Sequence, residues 1–265
     1  MIVVSGCISP QVTTEGNQGA TCEDTNVKEF TLLTKDGITL SVSHFLYGQP
    51  SVCLLAHGFM GSKHRPYITR LSQRLSQHFD IITFDFRGHG ASGGVCNGTK
   101  EFYDVKAVID YAKNRYEKIA LIGFSLGGIE GIYTVAKFQG VDALVTVSVP
   151  ADVEAIRPKA KWLFWMANNY FGRLVLRKWV RLDSAPQFPK PATAIGQVSP
   201  TPILIVHGSQ DALVDVKQAE ILYQKAKEPK ELVIIEGMKH PPNLPPEFYD
   251  AVENWLVGLL IEDIQ

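Results

Sequence analysis

Short apolar runs alternate with longer amphipathic segments along most of this chain, and that rhythm constrains its fold more than any other feature. Apolar runs of strand length lie at Ser51–Ala56, Asp80–Phe84, Lys118–Phe124 and residues 142–149, 202–206 and 231–235. Most are separated by segments of helical spacing, at 65–77, 100–116, Leu126–Phe138, 216–226 and Pro246–Leu260. A strand that returns through a helix runs parallel to its predecessor, and a parallel sheet must be covered on both faces. Two further strands, 29–34 and 38–47, flank Lys35-Asp36-Gly37, whose Asp-Gly pair favours a tight hairpin. The expectation is therefore an α/β fold: a mostly parallel eight-stranded sheet with helices on both faces and an antiparallel hairpin at one edge.

One interval breaks the rhythm. Residues 151–200 contain no strand, which is far more chain than an ordinary connection needs, so they are expected to form a small helical lid inserted between two parts of the core, 28–150 and 201–265. Residues 1–27 are polar and rich in Thr, Gly, Asn and Gln, and read as an N-terminal tail or arm.

The formal net charge is −1, which gives no reason to expect nucleic acid as a partner. No apolar run has the length of a membrane span. Four cysteines, Cys7, Cys22, Cys53 and Cys96, show neither C-x-x-C nor zinc-type spacing, so no structural metal is expected, and the serine chemistry described below needs no cofactor. Cys53 lies in an apolar run and reads as a small buried hydrophobe. Cytoplasmic location is the default expectation. Val4-Ser5-Gly6-Cys7 has the form of a lipoprotein cleavage site, so an exported lipoprotein, lipidated at Cys7, is the alternative if the true start lies upstream of Met1.

The chemistry centres on Gly123-Phe124-Ser125-Leu126-Gly127, a G-x-S-x-G pattern between an apolar strand and a helix. On so tight a turn a Cβ at either glycine would clash, and the serine is presented at the carboxyl end of its strand. A serine hydroxyl needs a base to take its proton and a third group to orient that base. Two later strand ends supply them: Asp211, after the strand ending near Val206, and His240, after the strand ending near Ile235. Asp215 competes with Asp211 but sits where a helix cap would. His57-Gly58-Phe59-Met60-Gly61 follows a fourth strand, and the backbone amides of Phe59 and Leu126 are the expected oxyanion donors. The other strand-end histidines, His57, His89 and His207, are expected to hold loops, and Arg87 to clamp them.

These motifs, in this order, resemble the α/β-hydrolase superfamily over about residues 28–258. Asp85-Phe86-Arg87-Gly88-His89-Gly90-Ala91-Ser92 is similar to the D-x-R-G-x-G-x-S loop of the branch containing monoacylglycerol lipases, bacterial carboxylesterases and serine-aminopeptidase-like hydrolases. The resemblance implies Ser125 as nucleophile, His240 as base and Asp211 as its orienter. The single-glycine His57-Gly58-Phe59 form departs from the triple-glycine loop of hormone-sensitive-lipase-like esterases. A nucleophilic aspartate, as in haloalkane dehalogenases and epoxide hydrolases, is absent from the turn. The implied activity is hydrolysis of carboxylic esters through an acyl-enzyme, on a small-molecule substrate with an apolar acyl group. A thioesterase or amidase using the same triad is one alternative, and a non-catalytic binding protein on a hydrolase fold is another.

The inserted segment carries eight basic and three acidic residues, a charge of +5 against −6 for the rest of the chain. It is also rich in aromatics. Trp162, Trp165, Met166 and Phe171 are the candidate walls of a substrate pocket, and the basic aromatic surface suits contact with an anionic membrane. The plain alternative is that the aromatics pack on the body and the charges are simply solvated.

Overall fold

The computed structural model describes residues 26–261. The expected N-terminal tail, apart from its last two residues, and Cys7 lie outside them. Eight strands form one sheet: β1 Asn26–Leu33, β2 Thr39–Leu46, β3 Ser51–Ala56, β4 Asp80–Phe84, β5 Lys118–Phe124, β6 Ala143–Val147, β7 Ile203–Gly208 and β8 Lys230–Ile235, in the order β1-β2-β4-β3-β5-β6-β7-β8. β1 and β2 pair antiparallel, as do β2 and β4, and every other pairing is parallel.

The central strands are buried on both faces, and their period of two sorts their side chains into two cores. Val52, Leu54, Ala56, Ile119 and Leu121 face one side, where they meet α2 (Phe102–Lys113), α3 (Leu126–Phe138) and α7 (Val216–Lys225). Cys53, Leu55, Ala120, Ile122 and Phe124 face the other, against α1 (Pro66–Leu75) and α8 (Pro246–Leu260). Cys53 is fully buried, and burial pushes its thiol well above the usual range.

From β3 the chain crosses to β4 on one side and then reaches β5 on the other. The carboxyl ends of β3 and β5 therefore flank a topological switch point, where the connecting loops diverge and leave a crevice. Arg87 ties the loops beside it. Its guanidinium pairs with Asp36 of the hairpin turn at 2.8 and 2.9 Å and with Asp104 of α2 at 2.7 and 2.9 Å.

Residues 151–200 leave the sheet after β6 and carry two short helices packed together, α4 (Lys161–Ala167) and α5 (Tyr170–Leu176), before a one-turn helix α6 (Pro191–Ala194) leads into β7. The return path is pinned to the loop after β4. The Arg181 amide donates to the Gly88 carbonyl at 2.8 Å, the Cys96 amide to the Arg181 carbonyl at 2.9 Å, and the Arg181 side chain to the Ser92 carbonyl. Gly88 permits this approach: its φ is +74°, and a Cβ there would lie 2.5 Å from the Cys96 nitrogen. Among the described residues no helix is long and apolar enough to cross a membrane, and no group of three or more His, Cys, Asp and Glu could hold a metal ion.

Candidate active site

Ser125 sits between β5 and α3 with φ +48° and ψ −107°, a conformation that a non-glycine residue adopts only when its surroundings enforce it. The enforcement is visible on three sides. The Ser125 amide donates to the Val147 carbonyl at 2.8 Å, and the Ser125 carbonyl accepts from Gly128 and Ile129 as α3 begins. A Cβ on Gly123 would lie 2.4 Å from the Gly127 carbonyl oxygen, and one on Gly127 would lie 2.2 Å from that of Ala56. The turn is as tight as the sequence motif requires.

Asp211 and His240 arrive from the loops after β7 and β8. His240 Nδ1 and Asp211 Oδ2 are 2.7 Å apart, and Asp211 Oδ1 accepts from the amides of Leu213 at 3.0 Å and Val214 at 2.8 Å. Burial alone would raise the Asp211 pKa. The hydrogen bond and charge of His240, with the Val214 amide, outweigh it and hold the carboxyl below its ordinary value. With Nδ1 engaged, His240 keeps Nε2 for the cavity it lines together with Ser125. Among the described residues the hydrogen bond given for the His240 ring is the one to Asp211, and the Ser125 hydroxyl makes none to it.

Asp215 does something else. It caps α7, its side chain accepting from the Lys217 amide at 3.0 Å. Asp215→Ala is expected to cost about 1 kcal/mol of stability and to leave turnover unchanged, measured as a thermal midpoint beside an ester assay.

The loop after β3 is held by hydrogen bonds that do not engage the Phe59 amide. Gly58 N–H donates to the Tyr67 hydroxyl at 3.3 Å, Met60 N–H to His89 Nε2 at 3.2 Å, and Gly61 N–H to the Gly58 carbonyl at 2.9 Å. Among the described residues Phe59 N–H has no such acceptor, and Leu126 N–H opens α3, where the first turn has no carbonyl to offer it. His57 and His89 act as the loop's fasteners. His57 Nδ1 donates to the Gly58 carbonyl at 2.7 Å while Nε2 accepts from Phe86 at 3.1 Å, and His89 Nδ1 donates to the Arg87 carbonyl at 3.0 Å. Burial depresses both, to about 4 for His57 and about 3 for His89, where neighbouring His57 adds to the effect, so both rings stay neutral near pH 7. His207 is buried beside Asp211, with Nε2 2.9 Å from the Val214 carbonyl.

Ser125, Leu126, Phe59 and His240 open into one cavity of about 350 Å³. Its walls are mainly apolar, with Met60, Ile129, Leu213 and Pro241 from the core and Leu163, Phe164 and Ala167 from α4. Here the expected pocket residues need correction. Trp162, Trp165 and Phe171 are 58, 70 and 78 % exposed and do not line the cavity; Met166 packs instead with Leu176 and Val180. On α4 the positions 163, 164 and 167 share the inward face, which leaves 162 and 165 outside. Both faces are apolar, so the sequence carried no signal of which one turns inward.

The alpha/beta hydrolase family model matches residues 53–252. Among curated proteins, the chain is 28% identical over 226 residues to the uncharacterized protein YfhR of Salmonella typhimurium, covering 80% of this chain and 74% of that one. It is 28% identical over 249 residues to human serine hydrolase BPHL, covering 83% and 84%. Among solved structures, the Pyrococcus furiosus esterase Pf2001 superposes with a TM-score of 0.74 at 21% identity, covering 89% of this chain and 94% of that one.

Proposed function

The chain belongs to the alpha/beta hydrolase family, and from that premise we propose that it is a serine hydrolase that cleaves carboxylic esters through a Ser125-His240-Asp211 triad. The observation that carries this reading is the pairing of a strained serine with a carboxylate-oriented histidine on the wall of one apolar cavity. Ser125 Oγ attacks the ester carbonyl as His240 Nε2 takes its proton. Asp211 holds the ring with Nδ1 protonated and stabilises the imidazolium as it forms. The oxygen of the tetrahedral intermediate receives the N–H groups of Phe59 and Leu126, which are already fixed and need no reorganisation. His240 returns the proton to the leaving alcohol, and the acyl group remains on Ser125. Water, deprotonated by the same imidazole, then releases the acid and restores the hydroxyl.

The walls favour an apolar acyl group under a lid formed by residues 151–200, with α4 as its inner surface. The proposal is tested by turnover of p-nitrophenyl esters of increasing chain length. The wild type is expected to show an optimum at small to medium acyl chains, and Ser125→Ala to lose about 10⁴-fold or more in kcat/KM. Equal turnover by the two proteins would rule out the serine mechanism.

A further inference from the structure

Ten large apolar residues are exposed among the described residues, and seven of them fall between Trp162 and Trp179. Trp162, Trp165, Tyr170, Phe171, Leu174 and Val175 crowd onto two helices of seven residues each. Singly, such residues need no explanation; gathered on two adjoining helices, they form a patch that water does not favour. The charge around them is of one sign. Lys159, Lys161, Arg177 and Lys178 are exposed beside the aromatics, and no acidic residue occurs between positions 155 and 182.

We propose that the outer surface of α4 and α5 docks on an anionic lipid bilayer, with the aromatic rings in the headgroup layer and the cations against lipid phosphates. Aromatic rings with flanking lysine and arginine are the combination that an interfacial surface uses. The charge argues against a second copy of the chain as the occupant, because self-docking would set these cations against one another with no carboxylate between them. The geometry gives docking a consequence. The inner side of α4 supplies Leu163, Phe164 and Ala167 to the cavity, so one short helix would stand between lipid and the candidate active site.

The test is co-sedimentation with phosphatidylcholine vesicles, with and without phosphatidylglycerol, followed also by tryptophan emission. Three of the four tryptophans, Trp162, Trp165 and Trp179, lie in this segment, so docking should shift the emission to the blue. The expected result is binding that requires phosphatidylglycerol and weakens with salt. Neutralising Lys161 or Lys178 to Gln should weaken it about fivefold each. The triple variant Trp162→Ser, Trp165→Ser, Phe171→Ser should lose it while keeping the wild-type circular dichroism spectrum, since all three side chains are exposed. Ser125→Ala should bind vesicles like the wild type, so this result is independent of the catalytic proposal. Absence of binding to the anionic vesicles would overturn the inference. So would concentration-dependent self-association, in sedimentation velocity, that the triple variant abolishes while vesicle binding persists.

Discussion

Asp211→Asn is expected to lower kcat for a p-nitrophenyl ester by about 10⁴-fold with little change in KM. The substitution keeps the shape of the side chain, and its oxygen can still accept from Leu213 and Val214. What changes is the group presented to His240. An amide NH₂ would face Nδ1 across the present 2.7 Å contact, and the ring relieves that donor–donor clash by moving its proton to Nε2. A protonated Nε2 cannot accept a proton from Ser125. Asp211 does not line the cavity, so ground-state binding has no reason to change. Steady-state kinetics check this, and a loss below about tenfold would remove Asp211 from its assigned role.

The second large effect is on stability. Gly127→Ala should destabilise the protein by about 3 kcal/mol or more and lower its thermal midpoint by roughly 6–12 °C. The added Cβ meets the Ala56 carbonyl oxygen at 2.2 Å, and that atom belongs to a central strand that cannot yield as a flexible side chain would. Gly258→Ala is the matched control. It lies within α8 with nothing within 4 Å of a Cβ, so the same change should stabilise by about 0.5–1 kcal/mol through helix propensity. Calorimetry on the pair should give shifts of opposite sign.

The fold was legible where local physics leaves one choice. β3, β4, β5 and α3 match the bounds read from the sequence, because short, mainly apolar runs bounded by turn residues suit buried strands, and α3 starts directly after the turn that holds Ser125. β6 is shorter than its apolar run, covering Ala143–Val147 rather than 142–149. At one end the Asp142 carboxylate accepts from the Ile119 amide at 2.9 Å; at the other Ser148 takes φ +53° and turns the chain out of the strand. α2 starts later than its pattern because Glu101 folds back onto the amides of Asn97, Gly98 and Lys100. Such side-chain-to-backbone bonds depend on positions, not on apolar periodicity, and no pattern reveals them.

The candidate site divides in the same way. Ser125, His240 and Asp211 were readable as candidates because each follows the carboxyl end of a strand of a sheet whose topology follows from the alternation. The contributions of α4 were not. A helix of seven residues that is apolar nearly all round gives no amphipathic phase, and only contact with the core decides that Leu163 and Phe164 turn inward and Trp162 and Trp165 outward.

The most direct measurement is covalent labelling with an alkyl fluorophosphonate, followed by peptide mass spectrometry. The phosphonyl group is tetrahedral, like the intermediate, and is captured by a serine only where a base and oxyanion donors act together. The account predicts one adduct per chain, on Ser125, and labelling slowed by orders of magnitude in His240→Ala. No adduct on folded protein, or an adduct on any other residue with Ser125 unmodified, would contradict it.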